Sequence, residues 1–350
     1  MPNYSHHAMT IIDGSQGEGG GQMVRSALAL ALVTGRPCRI ENIRAGRQKP
    51  GLRRQHLAAV EAAVHVGRAE VEGAWLGSRQ LDFRPRDVRP GEFHLDVGTA
   101  GSTTLVTQTV LPALLTASGS ARITVTGGTH NPLAPPFEFL AQAYLPLLER
   151  LGPLCRPRLV RPGFYPAGGG KIEVEVRPTA RLGGLVIVER GPLVSRRLRA
   201  TVARLPGHIA ERECRTFLAE SGWNDGCCEV IERHDTAGPG NALVAELAFE
   251  HLTEVFCTLG RLGLRAEEVA RRLWREVSAY LAADAPVGPY LADQLMLPLG
   301  LSAWQGGGGE FRTTTISSHA RTHADLLRRL LDVDIAIACE GPQSYRVRVG

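Results

Sequence analysis

The stretch Gly163-Phe164-Tyr165-Pro166-Ala167-Gly168-Gly169-Gly170-Lys171-Ile172-Glu173-Val174-Glu175-Val176-Arg177 decides the fold class. Its second half alternates Ile172, Val174 and Val176 with Glu173 and Glu175, the pattern of a strand with one face buried. Its first half is a glycine-rich turn that launches the strand. Outward from here, residues 39–43 and 122–126 read as further strands. Residues 28–33, 56–66, 105–115 and 137–151 read as helices. Helices and strands alternate and neither type segregates, which defines an α/β (α+β) chain. Glycine-rich turns recur at 17–21, 168–170 and 306–309, each near an element edge, and point to a repeated unit.

The composition shifts after Gly183-Gly184. From there to about residue 280 the Gly/Thr-rich loops vanish. Strands are expected at 185–189, 197–203, 228–233 and 243–249, and helices at 210–221 and 266–281. We therefore expect a small inserted α/β domain at 184–280. It would divide a large domain into a first part, 1–183, and a completing part, 281–350.

The chain has 350 residues, 43% hydrophobic and 21% charged, so it can bury substantial cores and disorder is not the default. Net charge is +5, which suits a polyanionic partner only weakly. Of the 40 basic residues only Lys49 and Lys171 are lysines. Codon bias accounts for this most simply, although arginine also matches phosphate forks better than lysine. Aromatics are 5%, too few for a broad stacking platform but enough for one or two placed rings. Seven scattered cysteines lack CxxC spacing, arguing against a zinc site or a disulfide framework and for a reducing compartment. No apolar run of about 18 residues appears, so a cytoplasmic protein with no membrane span is expected.

Six segments could carry chemistry. DGSQGEGGGQ at 13–22 precedes a helix bearing Arg25. Glycines permit close backbone approach, a helix start favours an anion, and Glu18 could hold a divalent cation against phosphate oxygens. The competing reading is a tight turn with a solvated Glu. RAGRQKPGLRRQH at 44–56 puts cations at a helix start, against the macrodipole, a conflict an anion would relieve. VGTAGSTT at 97–104 leads a helix carrying Gln108; its hydroxyls cap the helix or cradle an anion. TGGTHNPLAPPF at 126–137 makes a rigid proline loop that could lie flat on a base. GPYLADQ at 288–294 offers the Tyr290 ring with Asp293 and Gln294 as polar handles. ISSHARTH at 316–323 places His319 and His323 four residues apart; a lone His is more often structural, and no third metal ligand at helical spacing accompanies the pair.

Together these words resemble the RNA 3′-terminal phosphate cyclases. DGSQGEGGGQ, RAGRQKPGLRRQH, TAGSTTLVTQTVLP, GGTHNPLAPPFEF, GFYPAGGG, PYLADQ and SSHARTH occur in family order and run nearly end to end. Residues 184–280 match mainly by position and size. The resemblance implies three βαβαββ-type units with helices inside, as in enolpyruvyl transferase-like folds, plus the inserted domain. It implies attack of a histidine on the α-phosphate of ATP, transfer of AMP to an RNA 3′-phosphate, and closure by the 2′-OH to a 2′,3′-cyclic phosphate. The motif places the nucleophile at His319. Glu18 resembles the carboxylate that binds a divalent cation, magnesium or manganese. Arg25, Arg44 and Arg47 match family arginines. Tyr290 and Pro135 resemble the adenine sandwich, and Gln55, Gln108, Leu291, Ala292, Asp293 and Gln294 its nucleotide contacts. The expected partners are ATP and an RNA with a 3′-phosphate end, and the chain could form a homo-oligomer.

The main departure is His323, which stands where the family usually has Asn. A catalytically silent RNA-binding or ribosome-assembly factor on the same fold is the chief alternative, and retention of His319 counts against it. An enolpyruvyl-type transferase is a second alternative, opposed by the scarcity of lysine and by the His319 motif.

Overall fold

The computed structural model describes residues 8–17 and 20–350. In the first unit, strand β1 (Thr10–Asp13) leads to helix α1 (Gly21–Thr34), β2 (Cys38–Glu41), α2 (Arg54–Gly67), β3 (Glu70–Glu72) and β4 (Leu81–Arg84). The sheet order is β1-β2-β4-β3, with β1 and β2 parallel and the other pairings antiparallel. The second unit repeats this path: β5 (Gly91–Asp96), α3 (Thr103–Leu114), β6 (Ala121–Gly127), a π-helical segment (Phe139–Tyr144) running into α4 (Leu145–Glu149), β7 (Leu154–Arg161) and β8 (Gly170–Arg177). Its order, β5-β6-β8-β7, is the same with the same pairing senses. The deciding strand of the sequence is β8, whose Ile172, Val174 and Val176 are fully buried.

The third unit is interrupted. Its first strand, β9 (Leu185–Ile187), is followed by β10 (Leu193–Ala203), α5 (His208–Ser221), β11 (Cys228–Arg233), β12 (Gly240–Phe249), β13 (Thr253–Leu259) and α6 (Ala266–Ala282). Then come α7 (Pro289–Trp304), β14 (Gly309–Thr313), α8 (Ser318–Leu331), β15 (Ile335–Gly341) and β16 (Ser344–Val349). The order β15-β16-β14-β9, with β14 parallel to β9, completes a third copy. Strand β9 was expected in the insertion, but its partner is β14, 124 residues on, which no local pattern reveals. The interrupting strands form their own sheet, β11-β10-β12-β13, and close a second core around Phe217, Trp223, Leu273 and Tyr280. We propose on this basis that the inserted domain begins after β9. The helix expected at 137–151 is split, because Pro146 offers no N–H and Leu145 N–H reaches back five residues to Leu140 O.

The helices of the three units pack on one another. All twelve residues of α3 are buried, and α7 buries Leu291, Ala292 and every residue from Leu295 to Ser302. Helices apolar on every side belong in the centre of a fold, and the three sheets enclose them. The insertion is tied in by Glu254 on β13, whose buried carboxyl group accepts the Gly288 N–H at the start of α7 at 2.5 Å. Burial pushes its pKa up to about 8. The structure also joins Cys214 to Cys228 as a disulfide, which corrects the expectation that scattered cysteines would stay unpaired. The two residues are 14 apart in sequence and meet only because α5 folds back beside β11. No helix among the described residues is long and apolar enough to cross a membrane.

Candidate active site

The first strand-to-helix loop starts with an Asx turn: Asp13 Oδ1 accepts from Ser15 N–H at 3.0 Å and Ser15 Oγ at 2.7 Å. Gly17 then takes φ +59°, and a β-carbon there would collide with the Thr322 hydroxyl. The loop therefore lies against the first turns of α8. Glu18, the metal candidate, falls outside the described residues.

His319 is the second residue of α8. Ser317 caps this helix, accepting from Ala320 N–H at 3.0 Å, and donates its own proton to Asp293 Oδ1 at 2.6 Å. Through Ser317, the words at 288–294 and 316–323 become one structure. Gly20 marks where three words meet. The position of a β-carbon on it lies 3.4 Å from an Arg47 guanidinium nitrogen and 3.7 Å from His319 Cε1. Gly21 is pressed against His56 of α2, and Gln55 packs against Gly101 of the third word.

Behind His319, one helical turn along, His323 is buried. Its Nδ1 accepts from Gln22 Nε2 at 3.2 Å and its Nε2 lies 3.0 Å from Ser26 Oγ. Burial, with Arg25 and His319 adding to it, drives its pKa down to about 4, so the ring is neutral at pH 7. His56 is lowered further, to about 3, by burial and then by Arg25, Arg44 and Arg53. These rings thus spare the cation cluster further charge.

Gln22, Arg25, Ser26, Gln108, Gln294 and His323 line a pocket between α1, α3, α7 and α8. Neither the Nε2 nor the Oε1 of Gln108 has a hydrogen-bond partner among the described residues, although the side chain is buried. Burial lowers Arg25 to about pKa 10, which leaves it cationic. A buried amide with nothing to bond and a half-buried guanidinium beside it await a polar, anionic ligand.

The other candidates divide. Arg44 donates to Lys49 O at 2.7 Å and Gly51 O at 3.0 Å, so one arm of its guanidinium folds its own loop. The side chains of Leu291 and Ala292 are fully buried in the core, where they support α7. Tyr290 is exposed at the start of α7, and burial of its edge followed by Glu276 and Asp293 raises its phenol pKa. Pro135 is fixed by its carbonyl, which accepts from Thr104 Oγ1 at 2.7 Å. Neither Tyr290 nor Pro135 lines the Gln108 pocket. In the fourth word His130 is structural: it stacks on Phe164 and meets Glu138 at 3.0 Å. Among the described residues no cluster of three His, Cys, Asp or Glu side chains could hold a metal. Sequence reading missed Gln22 and Ser26 as site residues. Their i, i+4 spacing on α1 parallels that of His319 and His323 on α8, a signal that was present.

On this three-unit α/β fold a helix-start histidine and an arginine meet at a glycine loop, beside an amide with no partner among the described residues, a donor set suited to phosphate oxygens. A sequence model of the RNA 3′-terminal phosphate cyclase family matches residues 16–337. Two relatives called "RNA 3′-terminal phosphate cyclase" are similar. That of Koribacter versatilis is 46% identical over 95% of this chain and 92% of its own. That of Ectopseudomonas mendocina is 45% identical over 95% and 96%. The enolpyruvyl transferase NikO from Streptomyces tendae aligns over 47% of this chain and 33% of its own at 18% identity, with a TM-score of 0.26, too slight a likeness to bear on the fold. The chain belongs to the RNA 3′-terminal phosphate cyclase family, a family of enzymes.

Proposed function

We propose that this enzyme converts an RNA 3′-terminal phosphate to a 2′,3′-cyclic phosphate at the expense of ATP, with His319 as the nucleophile. The observation that carries the reading is the meeting of His319, Arg47 and the glycine loop at Gly20, next to the pocket of Arg25 and Gln108. A His319 ring nitrogen attacks the α-phosphorus, the bond to the β-phosphate oxygen breaks, and pyrophosphate leaves. The RNA 3′-phosphate oxygen then takes the AMP, restoring the imidazole. Finally the 2′-oxygen attacks the terminal RNA phosphorus, loses its proton and expels AMP. Every step builds charge on phosphate oxygens, and Arg25, Arg44 and Arg47 supply fixed cations for it. Gln108 and Gln294 offer amides to the nucleotide, and Tyr290 and Pro135 offer flat faces to adenine. Magnesium or manganese commonly rests on one carboxylate with the remaining ligands from phosphate and water, and Glu18 is assigned that part.

The test is product analysis. RNA with a 3′-phosphate, incubated with the enzyme and ATP, is expected to become resistant to phosphatase at that end. RNA that is bound but stays phosphatase-sensitive would instead indicate a silent RNA-binding factor.

A further inference from the structure

The turn at 73–79, between β3 and β4, plays no part in the chemistry above, yet it carries the exposed side chains of Trp75 (64%) and Leu76 (53%). The turn is rigid. Trp75 N–H donates to Gly73 O and Ser78 N–H to Trp75 O. It is also laced to the basic loop of the site: Leu52 N–H donates to Ser78 O at 2.9 Å, Gly77 N–H to Leu52 O at 2.8 Å, and Ile43 N–H to Arg79 O at 3.0 Å. Gly51 and Gly77 touch backbone to backbone, where a side chain would clash. The backbone of the turn therefore holds a fixed place against the same loop whose Arg47 reaches Gly20 beside His319.

The paired backbone brings cations to this turn: Arg79 ends it and bonds Ile43, Lys49 stands two residues before Gly51, and Arg54 two residues after Leu52. Lys49, Arg54 and Arg79 are exposed and form no ion pair among the described residues. Lys49 is set beside Gly51 by the Arg44 guanidinium, which holds both carbonyls. An exposed indole on a turn bonded to a cation-bearing loop is what single-stranded nucleic acid recognises, a base on the ring and phosphates on the charges. We propose that the 73–79 turn and Lys49, Arg54 and Arg79 dock the RNA strand immediately 5′ of the reacting end, with one base stacked on Trp75. This rests on the reading of the chain as acting on RNA 3′-phosphate ends. It gives the strand a course, with its terminal phosphate at His319 and its preceding nucleotides running over the 44–54 loop.

The experiment measures binding and needs no catalysis. Fluorescence anisotropy with 5′-labelled, 3′-phosphorylated oligoribonucleotides of two and ten nucleotides is recorded for wild type, Trp75→Ala and Trp75→Phe without ATP. The wild type is expected to prefer the longer strand. Trp75→Ala should lose about tenfold in affinity for it, erasing most of that preference, and Trp75→Phe should recover much of the loss. Arg79→Gln should flatten the dependence of log Kd on log salt by about 0.7, one phosphate contact on a single strand. Trp75→Ala binding the longer strand as wild type does would overturn the proposal. So would unchanged RNA binding together with a concentration-dependent drop in mass by sedimentation, which would make the turn a contact between copies of this chain. Loss of strand binding in Trp75→Ala alongside a wild type that makes no cyclic phosphate would leave the docking surface standing and remove the catalytic reading.

Discussion

Gln108 presents both polar atoms of its amide to a pocket with no partner for either among the described residues. Such a group costs stability in the free protein, and a nucleotide that bonds it recovers that cost on binding. Gln108→Leu is therefore expected to stabilise the free enzyme by about 1 kcal/mol in urea unfolding. The same change should lower the rate of enzyme adenylylation about 10- to 100-fold, the worth of a hydrogen bond to a charged group. A variant that is stabilised with its adenylylation intact would take Gln108 out of the site. His323 makes a second residue-scale prediction. Its pKa is lowered from 6.5 to about 4, so it contributes stability above pH 6.5 that is lost as the pH falls through 4. His323→Asn should make the acid limb of a stability curve between pH 6.5 and 4 less steep, which urea midpoints at successive pH values would show.

Among the elements, α8 does most to assemble the site. Ser317 both caps it and ties it to Asp293. Ser317→Ala is expected to cost about 1 kcal/mol of stability and to reduce adenylylation. Ser317→Asp keeps a competent cap but sets a carboxylate against Asp293, so it should retain more of the helix stability while still impairing the site. Equal activity in both variants and wild type would mean the Ser317–Asp293 link does not position His319. The sequence made α3 and β8 legible through a hydroxyl cap and alternation, whereas α8 showed only as the motif at 316–323. It could not show β9 leaving the insertion to pair with β14, or Leu291 and Ala292 turning inward on a helix that is apolar on nearly every side. Both outcomes depend on contacts distant in sequence. The ordered motif words were legible as words. Their convergence on Gly20, and the lack of a partner for Gln108 among the described residues, came only with the packing of α1, α3 and α8.

For the molecule as a whole, the insertion has its own core and meets the repeat domain at buried polar points that include Glu254. Its carboxyl pKa is raised from 4.5 to about 8, so the stability it contributes is complete below pH 4.5 and lost as the pH rises through 8. Glu254→Gln is expected to match the wild type near pH 4.5 and to surpass it by pH 8, removing a slope of about 1.4 kcal/mol per pH unit. Parallel curves for the two proteins would show that Glu254 does not titrate in this way.

The central claim is a covalent nucleotide on His319, and the direct measurement is incubation of the pure protein with ATP labelled at the α-phosphate and magnesium or manganese, followed by denaturing electrophoresis. The account predicts label on the wild type, none on a folded His319→Ala, weakened metal-dependent labelling in Glu18→Ala, and discharge of the label by RNA carrying a 3′-phosphate. A His319→Ala protein that labels like the wild type, or a wild type that takes no label once pyrophosphate is removed, would contradict it.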